Sequence, residues 1–138
     1  MKITVRPACP NDLEFLAKFD RHVPREKMEK LVSDGFVLTA MCGKSFAGWL
    51  RYGFFWDEIP FMNMLFVLED YRGNGVGTAL VREWEKLAAA KGHGTVMTST
   101  QANEMSQHFY RKLGYRDMGG FTPFGEEYEI IMGKRLER

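Results

Sequence analysis

The sequence predicts a single mixed α/β domain spanning residues 1–138. Three observations carry that reading. Strand-like alternation and helix-like periodicity take turns along the chain, in the order β-α-α-β-β-β-α-β-α-β-β. Residues 59–68 are almost continuously apolar, as expected of a central strand covered on both faces. A chain of 138 residues buries one ordinary core and has no room for two substantial ones. No internal repeat, low-complexity tract or linker interrupts it.

Each element has a local reason. Residues 3–6 read as a short opening strand that Pro7 and Pro10 end. Asn11 or Asp12 caps a helix with Leu13, Leu16, Ala17 and Phe19 at apolar positions. Pro24 suits the first turn of a second helix, carrying Met28, Leu31 and Val32, which Asp34-Gly35 breaks. Residues 36–41 and 46–52 form a hairpin about a turn at 42–45. After the apolar strand comes a polar, glycine-containing turn over 69–75. From Val76 the period becomes helical, with Val76, Leu80, Trp84, Leu87 and Ala88 on one face and Arg82, Glu83, Glu85 and Lys86 on the other. Lys91-Gly92 closes that helix. Residues 94–100 form a strand, Asn103 caps a helix over 104–113, and Gly114 stops it. Two short strands, 115–118 and 128–132, finish the chain.

Composition narrows the function. Lys plus Arg number 19 against 18 Asp plus Glu, and a net charge of +1 offers no electrostatic case for nucleic acid or an anionic membrane. The two cysteines, Cys9 and Cys42, exclude a disulfide framework and a four-cysteine zinc site. His22, His93 and His108 have no metal-ligand spacing, so no metal is expected. No apolar leader opens the chain, and no apolar run approaches the ~20 residues of a membrane helix. A soluble, cytoplasmic protein is the expectation.

The chemistry-bearing stretch is strand, glycine turn, helix: Leu65-Phe66-Val67-Leu68, then Arg72-Gly73-Asn74-Gly75-Val76-Gly77-Thr78. Glycines there let the chain turn tightly and let a ligand approach the backbone. The amides of Gly73, Asn74, Gly75, Val76, Gly77 and Thr78 face outward at a helix start, where the dipole favours an anion, and Arg72 adds a positive charge. The site suits a phosphate or pyrophosphate. It is not a Walker loop, because no Lys precedes Thr78. It is not a dinucleotide fingerprint either, because the spacing is G-x-G-x-G and the position in the chain is late. A plain glycine-rich turn remains the competing reading.

A second constellation follows one strand later. Asn103 opens a helical segment ending Phe109-Tyr110-Arg111-Lys112-Leu113-Gly114-Tyr115. Together the two segments resemble the GCN5-related N-acetyltransferase (GNAT) family. Arg72, Gly75 and Gly77 stand at its R/Q-x-x-G-x-G/A turn, and Asn103, Phe109, Tyr110, Lys112, Leu113, Gly114 and Tyr115 stand at its second motif. The order of elements agrees along the whole chain.

The resemblance implies a mixed central sheet whose parallel central strands, 61–68 and 95–100, splay apart to admit acetyl-CoA. It implies that backbone groups of Leu65, Phe66 and Val67 pair with the pantetheine amides, and that the pyrophosphate sits on the turn from Gly73 to Thr78. Asn103 and Ser106 fall to the cofactor side, although Asn103 serves equally well as a helix cap. An amine attacks the thioester directly, a backbone amide near Phe66 or Val67 holds the oxyanion, and Tyr110 protonates the departing thiolate. The rival reading of Tyr110 is a core aromatic beside Phe109.

The base is open. The family's strand carboxylate has no counterpart in residues 59–64, so Asp57, Glu58 or a water are the candidates, with Asn63 as an orienting group or a bulge residue. The aromatics Trp49, Tyr52, Phe54, Phe55 and Trp56 line an amine pocket, fill the core or form a dimer face. The acceptor is a small-molecule or peptide amine, and the family's habit leaves a homodimer open. The alternative functions are an acyl-CoA-binding sensor or interaction module without turnover, and a phosphate-ligand binder unrelated to CoA.

Overall fold

A computed structural model describes residues 2–137. The strands are β1 (Ile3–Pro7), β2 (Val37–Cys42), β3 (Ser45–Phe55), β4 (Ile59–Val67), β5 (Thr95–Gln101), β6 (Arg116–Phe121) and β7 (Glu129–Arg135). The helices are α1 (Leu13–Phe19), α2 (Arg25–Ser33), α3 (Val76–Ala90) and α4 (Ser106–Lys112), with 3-10 turns at Pro10–Asp12 and Glu69–Tyr71. The order along the chain is the one the periodicity predicts. The seven strands form one mixed sheet in the order β1-β2-β3-β4-β5-β7-β6. The pairings β1/β2, β2/β3, β5/β7 and β6/β7 are antiparallel, whereas β4 and β5 run parallel, in register at Phe61↔Met97 and Met62↔Thr98.

Contacts gather the chain into two compact units. The first comprises Met1–Tyr52 and Met64–Trp84. Its core joins Leu16 of α1 and Met28 and Val32 of α2 to Val37, Phe46 and Trp49 of the β2/β3 hairpin, with Met64 and Leu68 packed against them. Amphipathic spacing puts those helix residues inward, and burial of each large side chain is worth roughly 1.5–3 kcal/mol. Two buried carboxylates tie the first segment to the hairpin. Asp12 accepts from Arg6 (2.7 and 3.0 Å), from the Cys9 amide (2.9 Å) and from the Thr39 hydroxyl (3.1 Å). Asp20 accepts from the Trp49 indole (3.1 Å) and from Arg51 Nε (2.9 Å). Asp12 is thus a strand-to-turn clamp, where the sequence had offered it as a helix cap. The first nine residues of α3 also belong here, with Val76, Leu80, Val81 and Trp84 buried.

The second unit comprises Gly53–Asn63 and Glu85–Arg138. Met62, Val96, Met97, Tyr110, Leu113, Tyr115, Ile130 and Met132 are buried in it. Glu85 departs from the periodicity, which assigns it to the polar face of α3. It is only 7% exposed, because Tyr115 Oη donates to it at 2.8 Å and Lys134 Nζ meets it at 3.0 Å. A buried carboxylate persists when its lone pairs are taken up this way. One glycine and a pair of amides end α3: Gly92 has φ +91°, its amide reaches Ala89, and the His93 amide reaches Ala88.

Two further expectations are corrected. β4 is not covered on both faces: Met62 is buried, but Asn63 and Phe66 are exposed. Asn63 and Phe66 stand an odd number of residues apart, so each face of the strand is exposed at one point. The second correction concerns the helix after β5, which starts at Ser106 and not at Glu104. The intervening residues form a turn held by side chains, with Glu104 Oε1 accepting the Gln101 amide (3.1 Å) and Gln107 Nε2 donating to the carbonyls of Ala102 (2.8 Å) and Glu104 (2.9 Å). Asn103 lies exposed in that turn and does not cap the helix.

Candidate active site

In the first unit the structure brings together Leu65, Phe66, Val67, Arg72 and the turn into α3. Gly73 (φ +78°) and Gly75 (φ +86°) are left-handed, and a Cβ at either would meet nothing within 4 Å. Conformation, not crowding, therefore demands glycine at both positions. Asn74 folds its side-chain amide back onto the carbonyls of Tyr71 (3.2 Å) and Arg72 (3.1 Å), which fixes the turn. The helical hydrogen bonds begin with the Ala79 amide on Gly75 (3.0 Å). The amides of Val76, Gly77 and Thr78 consequently have no partner within the helix, and they share its positive dipole end. The turn from Arg72 to Gly75 is exposed. These are the elements of an anion cradle.

Arg72 lies back over the end of β4. Its Nε donates to the Val67 carbonyl at 3.0 Å, and its guanidinium stands 5.3 Å from the centre of the Phe66 ring. The carbonyl of Val67, expected to await a ligand amide, thus has a side-chain donor already. The Phe66 carbonyl faces β3, where it approaches Gly48 so closely that a Cβ there would stand 2.4 Å from it. Leu65 is half-buried and Phe66 is 36% exposed.

In the second unit α4 and β5 hold Tyr110, which is 6% exposed. Its ring meets Phe109 (5.4 Å between centres) and Tyr115 (5.9 Å), both edge to face. Burial pushes the phenol up to about 12, the Glu104 carboxylate adds to the rise, and a hydrogen bond with Thr98 opposes it. Thr98 Oγ1 in turn donates to the Met62 carbonyl at 3.0 Å. Ser106 Oγ lies 2.6 Å from Thr100 Oγ1, so its hydroxyl is tied to β5. Both threonines are buried, at 1% and 4% exposure, and neither figured among the candidate residues. The signal for them was available: they sit two apart on a strand, and Ser106 and Tyr110 sit four apart on the next helix, so each pair shares a face.

The other candidates separate. Trp49 is fully buried, packed against Phe46 and Phe66 with its indole on Asp20, and Tyr52 meets Phe36 edge to face and Trp84 at a tilt. Both are buried among core residues of the first unit. Phe54 lies beside His93, Phe55 beside Phe61, and Trp56 is 76% exposed at the tip of the β3–β4 hairpin. Asp57 and Glu58 are exposed on the same tip, and Asn63 is exposed on β4. Among the described residues no helix is long and apolar enough to cross a membrane, and no group of three or more His, Cys, Asp or Glu is placed to hold a metal ion.

Residues 8–115 match the acetyltransferase (GNAT) family, and the chain belongs to that family. The fold agrees. Ard1 from Thermoplasma volcanium superposes with a TM-score of 0.86 at 16% identity, over 100% of both chains. The ribosomal-protein-S18-alanine N-acetyltransferase from Escherichia coli gives 0.83 at 17% identity, over 99% of this chain and 96% of that one. The PaiA N-acetyltransferase from Thermoplasma acidophilum, solved in complex with coenzyme A, gives 0.73 at 18% identity, over 98% and 99%. No curated protein sequence matches.

Proposed function

We propose that the protein is an acetyl-CoA-dependent N-acetyltransferase acting on a small-molecule or peptide amine. The observation that carries this reading is the turn before α3, with two left-handed glycines and a run of helix-start amides beside Arg72. That cradle fits a diphosphate, and the relative solved with coenzyme A shares the fold. Gly73, Asn74, Gly75, Val76, Gly77 and Thr78 hold the pyrophosphate through their amides, with Arg72 supplying charge. The end of β4 at Leu65, Phe66 and Val67, where Phe66 is exposed, takes the pantetheine arm, and Asn103 and Ser106 are the further residues we assign to the cofactor.

The cosubstrate supplies an activated acetyl group with a thiolate leaving group. The amine nitrogen forms the new C–N bond, and a main-chain amide at Phe66 or Val67 carries the developing oxyanion. The C–S bond then breaks with its electron pair on sulfur. Tyr110 gives its proton to that sulfur, and solvent restores it. The nitrogen's extra proton leaves through water, with Asp57 and Glu58 the nearest acids upstream of β4.

The test is thiol release from acetyl-CoA with a panel of polyamines, free amino acids and short peptides. Turnover with at least one amine, lost in Tyr110→Phe while CoA still raises the melting temperature, is the expected result. CoA binding without turnover on any amine would favour a non-catalytic acyl-CoA sensor, which is the reading for a site lacking the strand carboxylate. A melting temperature that CoA leaves unchanged would overturn both.

A further inference from the structure

We propose that the second unit carries a binding site for a small organic phosphate, built by Arg116 of β6 and Arg135 of β7 over the bare main chain of Gly133. The site shares no residue with the glycine turn before α3, and it does not rest on the acetyl-transfer reading.

Strand register assembles it. Arg116 lies directly opposite Gly133, and Arg135 lies directly opposite Thr95 of β5. Residues opposite each other, and residues two apart on one strand, share a face of a sheet. Thr95, Arg116, Gly133 and Arg135 therefore project from one face, with the two arginines diagonal across β6 and β7. Diagonal neighbours stand about 7–8 Å apart, within reach of long side chains. The irregularity between Asp117 and Gly119 turns the Met118 side chain onto the same face, where a Cβ on Gly133 would collide with its sulfur. An open cleft of about 790 Å³ is lined by these five residues, among others.

Charge selects the ligand. The cleft's other charged groups are paired internally: Lys134 meets Glu85 at 3.0 Å, and Arg111 of α4 takes both oxygens of Asp117, at 3.1 and 3.0 Å. Arg116 and Arg135 are exposed and have no ion-pair partner among the described residues. Two like charges held on one face of neighbouring strands repel, and an anion seated over Gly133 removes that repulsion. A carboxylate has two oxygens, enough for one guanidinium fork. A phosphomonoester has three terminal oxygens and a charge of about −2, so it satisfies both forks at once. The Thr95 hydroxyl, opposite Arg135, is a further donor. The cleft exceeds a phosphate group and falls in the range of small-molecule sites, roughly 300–1,000 Å³. Met118, 58% exposed, offers an apolar wall to the carbon part of the ester.

The experiment titrates glycerol 3-phosphate into the ¹⁵N-labelled full chain at low, constant ionic strength and follows the backbone amides. Saturating shifts at Thr95, Arg116, Gly133 and Arg135 are expected. Gly77→Asp, which spoils the other anion cradle, is expected to leave this affinity unchanged. Arg116→Gln and Arg135→Gln are each expected to weaken binding about tenfold, and the double variant to abolish it. Arg116→Lys and Arg135→Lys keep the charge without the fork and are expected to fall between parent and glutamine variants. Glutarate, a dicarboxylate, is expected to bind about tenfold more weakly than the phosphate. Shifts confined to residues 73–78, shifts that never saturate, or undiminished binding in the double glutamine variant would each overturn the proposal. Glutarate binding as tightly as glycerol 3-phosphate would overturn the ligand class, and the proposal with it. Should a glutamine variant not fold, Thr95→Glu decides: its carboxylate, set opposite Arg135, is expected to exclude the phosphate, and parental affinity would overturn the site.

Discussion

At neutral pH Tyr110 carries its proton, since burial pushes its phenol up to about 12. Two results follow at the residue scale. Tyr110→Phe is expected to cut turnover on the order of 10²-fold, the usual worth of a placed general acid, with the CoA-induced rise in melting temperature unchanged. Stopped-assay kinetics beside thermal melts would check both. In the parent, the rate should climb as pH rises toward the amine's pKa, ~10.4 for a lysine-like acceptor. Tyr110 adds no falling limb below about pH 11, because its acid form persists until the pH nears its raised pKa. A falling limb near pH 8 would mean that some other group supplies the proton. The turn gives the complementary case: Gly77→Asp places a carboxylate against helix-start amides and a bound diphosphate, so CoA should no longer shift the melt.

Among the elements, the clamp on β1 has a pH signature. Burial would raise the Asp12 carboxyl, but hydrogen bonds from Arg6, the Cys9 amide and Thr39, with the Arg6 charge, outweigh it and hold the pKa below the usual carboxylate range. A lowered folded-state pKa contributes stability that is present above the ordinary value of ~3.9 and lost as pH falls through the depressed one. Asp12→Asn is therefore expected to cost about 2 kcal/mol at pH 7, with the gap to the parent closing below pH 4, as urea titrations would measure. The β3–β4 hairpin makes an opposite prediction. Trp56 (φ 55°) and Asp57 (φ 58°) are both left-handed, and the Glu58 amide closes the turn on Phe55 at 3.1 Å. This is the primed turn that favours Asn-Gly, filled here by Trp56, which resists it, and by Asp57, which adopts it less readily than glycine. Asp57→Gly is expected to stabilise the fold by about 1 kcal/mol, seen as a raised urea midpoint.

For the whole molecule, ligand linkage is the readout. A ligand that binds only the native state stabilises it by about 2.7 kcal/mol at a hundredfold excess over its Kd. In a domain of this length that is roughly 5–10 °C in Tm. CoA should produce that shift in the parent and in Tyr110→Phe. It should not do so in Gly77→Asp, and scanning calorimetry would show it.

Much of the fold was legible because local chemistry set it. The order of strands and helices followed from period changes, α3 announced itself by Val76, Leu80 and Trp84, and the glycine turn stood out from its composition. Pattern failed where long-range partners decided. Glu85 looked like a surface residue until Tyr115 and Lys134, thirty and forty-nine positions away, were brought to it. Asp12 looked like a cap until Thr39, twenty-seven positions on, reached it. Asn103 lost its helix start because Glu104 and Gln107 closed a turn first.

By itself the sequence determined the family, the succession of elements and the glycine turn before α3, all of which depend on residues close together in the chain. Only the tertiary structure decided which polar side chains are buried and what they face. It placed Thr100 against Ser106 of α4, and it separated Trp49 in the core from Trp56 at an exposed turn. The reason is physical: backbone conformation responds to neighbours a few residues away, whereas desolvation and hydrogen-bond pairing depend on what folding brings from a distance.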